Sequence, residues 1–286
     1  MDKKNLTDEL RAEEYDEPRC LLNMNSGLKE VPQRTVPVGR IVEKLDELLS
    51  RNDWAAAERH LNYWLADAES CGDKKGALAV EGERMGLFRK RSREKEAMEA
   101  VGHALELIRE LKMEDSLTAG TTYVNIATVY KTFGHAEQGL PFFEKARIIY
   151  EANLSGDDPR LGGLYNNTAL ALADLGRLGE ARDSYEKALQ VMQEVPGSEL
   201  ELAVTKLNLA DLEAAEKGPE EADETVQALL DEGRALLDTP QLPRNGYYAY
   251  VLTSCAPTFE YYGRFADAAE LNASAQAIYT RPEVTE

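Results

Sequence analysis

Residues 123–146, YVNIATVYKTFGHAEQGLPFFEKA, lie on residues 165–188, YNNTALALADLGRLGEARDSYEKA, without a gap and always 42 residues apart. Tyr123 meets Tyr165, Asn125 meets Asn167 and Ala127 meets Ala169. Gly134 then meets Gly176, Phe143 meets Tyr185, and Ala146 meets Ala188. Self-similarity at a fixed period of this size is the mark of a repeat architecture.

The same frame extends outward and decays in both directions. Upstream, ERMGLFRKRSREKEAMEAVGHA puts Gly86 at the first small position and continues through Ala97, Val101 and Ala104. Further upstream, RNDWAAAERHLNYWL carries Trp54, Ala57, Leu61 and Trp64 at second-helix spacing. Downstream, KLNLADLEAAEKGPEEADETV supplies Asn208, Ala210, Gly218 and Ala222, and the last stretch supplies Ala256, Gly263, Phe265, Ala268 and Ala275. Six helix pairs account for residues 38–280, divided at about 38–73, 74–114, 115–156, 157–197, 198–240 and 241–280. Residues 1–37 show no repeat frame and are expected to be a largely irregular extension, and 281–286 a short tail.

The spacing has a physical reason. Two helices approach closely only where the contact residues are short, so Ala169, Ala181 and Ala188 let backbones pack while Tyr165 and Tyr185 fill the space between layers. Gly134, Gly176 and Gly263 fall where a first helix must end and turn, a position that favours φ > 0. Asp158 before Pro159, and Asp53 before Trp54, read as N-caps. Pro257 lies inside the first helix of the last pair and is expected to kink or loosen it. The stretch DTPQLPRNG, 238–246, is the longest loop signal and would let the last pair tilt. One pair cannot bury its apolar face alone, so the expected fold is all-α: a right-handed α-solenoid of about six antiparallel helix pairs.

These residues resemble the tetratricopeptide repeat, a unit of two antiparallel helices with small, aromatic and glycine residues at fixed positions. The period of 42 instead of about 34, with second helices longer by about two turns, is most similar to the kinesin light chain subtype. GLPFFEKA with Pro141, followed by the spacer NLSGDDPRL, adds to that likeness. The whole chain further resembles a bacterial family of such proteins with no assigned function.

The resemblance implies that first helices line a concave groove that reads peptides. Carried over position by position, the groove would present Glu83, Arg84, Leu87, Lys90 and Arg91, then Thr121, Val124, Asn125, Thr128 and Lys131. Asn166, Asn167 and Leu170 follow, then Asn208 and Asp211, and finally Tyr250, Thr253, Ser254 and Tyr261. Asn125, Asn167 and Asn208 share one repeat position. A carboxamide there donates to a backbone carbonyl and accepts from a backbone N–H whatever the peptide's side chains; the same Asn is also a consensus choice that bonds within the repeat. Arg84, Lys90, Arg91 and Lys131 suit a carboxylate, but the residue set of the carboxylate-clamp subfamily is not reproduced. The run RKRSREK, 89–95, with five basic residues and one acidic, is otherwise a solvated inter-helix loop.

Charge and composition narrow the partners. The formal charge is −19, from 33 Lys plus Arg against 52 Asp plus Glu, which repels phosphate backbones and anionic lipid. Nucleic acid and membranes are therefore excluded as expected partners, and a protein or peptide partner is expected. Residues 199–238 hold twelve acidic and three basic residues. No apolar run approaches the roughly 18 residues of a membrane helix and no leader is legible, so the chain is expected in the cytoplasm. Cys20, Cys71 and Cys255 are odd in number and scattered, which fits a reducing compartment, with Cys71 and Cys255 as apolar fillers.

Catalysis has no motif. His60, His103 and His135 lie on different repeats without ligand spacing for zinc. No phosphate-binding glycine loop occurs, and Cys255 has no nucleophile signature around it. Neither a metal nor a cofactor is expected. The reading is a non-catalytic scaffold that binds a protein or peptide in its groove. Two alternatives stand beside it: a peptide sensor acting on a separate effector chain, and a structural protein that self-associates through its end helices.

Overall fold

The computed structural model describes residues 34–280. The extension expected over 1–37 falls mostly outside the described residues, as do the tail 281–286 and Cys20. Among the described residues there are twelve helices and no strand. In chain order they are α1 (Val38–Ser50), α2 (Trp54–Cys71), α3 (Lys74–Lys90), α4 (Glu94–Glu110), α5 (Leu117–Thr132) and α6 (Ala136–Asn153). There follow α7 (Pro159–Asp174), α8 (Leu178–Gln193), α9 (Glu199–Lys217), α10 (Pro219–Leu237), α11 (Gly246–Tyr261) and α12 (Phe265–Tyr279).

Each odd-numbered helix packs against the even-numbered helix that follows it, and each pair stacks on the next. The protein is an all-α solenoid. Successive odd-numbered helices also touch one another, from α1 with α3 to α9 with α11, whereas even-numbered helices have no comparable mutual contact. Neighbours crowd on the inner arc of a curved stack and splay on the outer arc, so the odd-numbered helices form the concave layer.

Helix starts follow the local chemistry. The Asp53 carboxylate accepts from the Ala56 amide at 2.9 Å and Asp158 accepts from the Arg160 amide at 3.0 Å. Asn245 opens α11 in the same way, accepting from the Tyr248 amide at 3.0 Å. Each of these side chains satisfies an amide that the first helical turn leaves without a partner. At the other end, Gly134, Gly176 and Gly263 have φ of +80°, +72° and +77°, the left-handed turn that a Cβ disfavours.

The small positions pack as the repeat frame requires. Ala97, Ala104, Ala127, Ala146, Ala169, Ala181, Ala188, Ala210 and Ala222 are fully buried, and Ala268 and Ala275 nearly so. Tyr185, Phe143 and Phe259 are among the largest fully buried side chains. Gly86 departs from this expectation. A Cβ there would meet nothing within 4 Å, and the fully buried residue at that turn is its neighbour Met85. The close helix approach is made instead by Gly139, where a Cβ would lie 2.9 Å from the Ala127 carbonyl oxygen.

One further expectation is corrected. The added repeat length is not confined to second helices: α5 and α6 have 16 and 18 residues, and α7 and α8 have 16 each. Pro257 lies within α11, which continues to Tyr261; its ring removes the donor to the Thr253 carbonyl.

The last junction differs from the others. Even-numbered helices α2, α4, α6 and α8 each pack on the next odd-numbered helix, but α10 has no comparable contact with α11, which leans on α9 instead. The apolar core nonetheless runs through this junction: one cluster spans Val36 to Ala171, a small one joins α7, α8 and α9, and another runs from Leu200 to Ala275 across α9, α10, α11 and α12, where the Tyr248 hydroxyl also donates to the Leu237 carbonyl at 3.1 Å.

Candidate groove on the concave face

The inner layer brings together side chains from six helices, and the asparagines of the shared repeat position are not equivalent there. The Asn208 carboxamide donates from Nδ2 to Asn166 Oδ1 at 3.0 Å, and Thr205 Oγ1 donates to the same oxygen at 3.2 Å. Asn166 therefore ties α7 to α9. Asn125 and Asn167 are half-buried, and their side chains have no hydrogen-bond partner among the described residues. Asn125 Nδ2 lies 3.7 Å from where a Cβ on Gly82 would sit, so the bare Gly82 backbone keeps the α3 side of this carboxamide open.

Acidic groups line the same face. Glu83 on α3 has no ion-pair partner among the described residues; its protein-rich surroundings push the carboxyl up, with Asp46 on α1 adding to the shift and Lys90 opposing it. Asp211 on α9 accepts from the Tyr262 hydroxyl at 2.9 Å. Burial pushes its carboxyl up as well, and that hydrogen bond opposes the shift. Tyr247 donates from its hydroxyl to Glu201 at 2.8 Å; burial and then the Glu201 charge drive the phenol up. A concave wall surrounds each group with low-dielectric protein while leaving it open on one side.

The cations assigned to the groove are already engaged. Arg84 Nη1 donates to both carboxylate oxygens of Glu81 at 2.8 Å, and its guanidinium lies 5.2 Å from the Phe88 ring centre. Glu81 is only 1% exposed and also meets His103 Nδ1 at 2.7 Å, so this trio is part of the α3–α4 packing. Lys131 pairs with Asp174 at 3.5 Å. Arg91 turns away from the inner layer and covers the Trp54 ring at 5.5 Å, beside a cavity of about 140 Å³ lined by Trp54, Phe88 and Arg93. Lys90 reaches α11, its ammonium 4.9 Å from the Tyr250 ring centre.

Leu87, assigned to the groove, is buried instead, lining the cavity beside Trp54; the remaining assigned positions are half-buried or exposed. Thr128 Oγ1 donates to the Val124 carbonyl at 2.8 Å and Ser254 Oγ to the Tyr250 carbonyl at 2.8 Å. Tyr250 is partly exposed, and Tyr261 at 80% is fully so, against Tyr262. Sequence reasoning missed Asp46, Glu201, Tyr247 and Tyr262. Tyr247 stands three residues before Tyr250, one helical turn away, and that spacing was the signal available.

The described residues hold no group of three His, Cys, Asp or Glu side chains suited to a metal ion, and no helix long and apolar enough to cross a membrane. His60 and His135 serve local contacts, to the Ile41 carbonyl and to Glu94.

The tetratricopeptide repeat family model matches residues 160–231. This segment, from α7 into α10, is made of tetratricopeptide repeats. Among solved structures, the chain is similar to the nearly identical TPR-like repeats of a protein from Podosopora anserina described as a kinesin light chain. The identity is 17% and the TM-score 0.47, over 70% of this chain and 94% of that one. It is also similar to BtubC (BKLC) from P. vanneervenii, at 18% identity and a TM-score of 0.48, over 88% of this chain and 96% of that one. No curated protein matches the sequence.

Proposed function

We propose that the protein is a non-catalytic scaffold of the cytoplasm that holds an extended peptide segment of a partner protein in its concave groove. The observation that supports this reading is the pair of unpartnered carboxamides, Asn125 and Asn167, at one repeat position on neighbouring inner helices. An unengaged carboxamide in a half-buried wall forgoes hydrogen bonds that a peptide backbone would supply. Asn208 contributes differently, by fixing Asn166. Arg84 serves the wall through Glu81, and Lys131 serves it through Asp174. Turnover is not part of the proposal, because the engaged groups of the wall are paired with one another instead of converging on a reacting atom.

The test is a displayed random-peptide selection on the full chain, followed by fluorescence anisotropy of the selected peptides. An affinity lost about tenfold or more in the Asn125→Ala, Asn167→Ala double variant supports the groove, since each pair of backbone hydrogen bonds contributes on that scale. Peptides that bind both proteins equally would place the site elsewhere.

A second reading is favoured by the exposed end of the stack, where Tyr261 is 80% and Phe265 66% exposed. Two such aromatics on one terminal pair suit self-association. Sedimentation that shows a monomer at high concentration would dismiss it.

A further inference from the structure

The inner layer changes chemistry at α3. Glu83 stands 42 residues before Asn125, as Asn125 stands 42 before Asn167, so the column that carries carboxamides on α5 and α7 carries a carboxylate on α3. A carboxamide both donates and accepts, whereas an ionised carboxylate only accepts and is negative. The group of a ligand that meets Glu83 is therefore a donor, and a cationic donor suits it best.

Nearby groups leave that charge uncompensated. Arg84, its neighbour on α3, is bonded to Glu81. Asp46 on α1 adds a second negative charge to the field at Glu83, against the single ammonium of Lys90. Further along the wall, Lys206 pairs with Glu232 at 2.5 Å and Lys217 with Glu213 at 2.7 Å, and α11 contains neither Lys nor Arg. Glu201 and Asp211 accept from the tyrosine hydroxyls of Tyr247 and Tyr262. The inner helices α1, α3 and α9 thus carry carboxylates with no cationic partner among the described residues, while Arg84, Lys90, Arg91 and Lys131 are all engaged.

The aromatic side of the groove favours the same ligand chemistry. Tyr247 and Tyr250 are 52% and 44% exposed near the start of α11, which lies against the end of α1: a Cβ on Gly246 would be 3.8 Å from the Ser50 Cβ. The Tyr250 ring already receives a cation of this chain, the Lys90 ammonium at 4.9 Å. Ring faces attract ammonium and guanidinium groups, and the formal charge of −19 draws a basic segment in from a distance.

We propose that the segment held in the concave groove is basic: a lysine or arginine of the partner takes its countercharge from Glu83, next to the open carboxamide of Asn125, and Tyr247 and Tyr250 offer ring faces to a further cation. This choice of partner rests on the groove being the peptide-binding face.

The test uses the full chain and peptides selected from an unbiased displayed library. An excess of Lys and Arg over the library composition is expected at one or more positions, and a selected set without it would overturn the proposal. The tightest peptide is then measured by fluorescence anisotropy beside versions in which each Lys or Arg is replaced in turn by Gln. Three proteins are compared: the native chain, Glu83→Gln, and Glu220→Gln, which removes the same charge from an exposed site on the outer helix α10. One peptide replacement is expected to weaken binding about tenfold on the native chain and on Glu220→Gln, and less than about twofold on Glu83→Gln. Equal losses on all three proteins would overturn the proposal, because binding would then follow total charge and not Glu83. If Glu83→Gln lacks the native helical circular dichroism, Tyr250→Leu takes its place in the same comparison. The two readings fail differently. Neutral or acidic peptides that lose affinity in the Asn125→Ala, Asn167→Ala double variant would keep the groove and remove only its preference for cations. Peptides indifferent to that variant and to Glu83→Gln would remove the groove itself.

Discussion

The Asn208 carboxamide donates to Asn166 Oδ1 across 3.0 Å, linking the inner helices of two consecutive repeats at residues 42 apart. The same repeat position at Asn125 and Asn167 has no such partner among the described residues. One residue type at one frame position therefore does two jobs, and the two separate by experiment. Asn208→Ala removes a half-buried hydrogen bond and is expected to cost about 1 kcal/mol of stability. Asn167→Ala, which removes none, is expected to cost less than about 0.5 kcal/mol. Urea unfolding followed by circular dichroism distinguishes them, and equal costs would contradict the assignment.

The glycines divide in the same way. A Cβ on Gly139 would press to 2.9 Å on the Ala127 carbonyl oxygen, which is backbone and cannot rotate aside. Gly139→Ala is therefore expected to destabilise by about 1–3 kcal/mol through overpacking. Gly86 lies within α3 with open space around it, so Gly86→Ala is expected to stabilise by about 0.5–1 kcal/mol through helix propensity alone. Thermal melts of the two variants should move in opposite directions.

The Glu83 carboxyl is raised by its surroundings and by Asp46. A folded state that raises a carboxyl binds a proton more tightly than the unfolded chain does, so this group contributes stability at low pH. That contribution disappears as pH rises through the folded value. Glu83→Gln, which keeps the neutral shape, is expected to raise the melting temperature at pH 7 and to lose that advantage as the pH falls to the ordinary carboxylate range. A gain that is the same at both pH values would show that the charge is not the cause.

Burial pushes the Cys255 thiol up to about 12. The thiolate is the reactive form, so Cys255 is expected to resist iodoacetamide in the folded chain at pH 7.5 and to react on addition of guanidinium. Mass spectrometry of the alkylated protein reads this directly. Fast modification of the native chain would contradict the packing of α11.

The helix-pair repeat and the all-α solenoid were legible because their causes are local and periodic: Asp53 and Asp158 cap the next turn, Gly134 and Gly176 end a helix, and alanine recurs where backbones meet. At α3 the repeat had decayed, and Gly86 drew the small position away from Met85 one residue earlier. The groove was legible as a face but not as a set of partners. Whether Arg84 is free depends on Glu81 being buried beside it, and whether Lys90 is free depends on α11 arriving from the other end of the chain. Contacts of that separation have no period in the sequence, so no spacing announces them.

Hydrogen exchange with a selected peptide bound is the most direct test of the groove. The account predicts slowed exchange along the inner helices α3, α5, α7 and α9, centred near Asn125 and Asn167, with α4, α6, α8 and α10 unchanged. Slowed exchange confined to the even-numbered helices, or to α12 at the end of the stack, would contradict it.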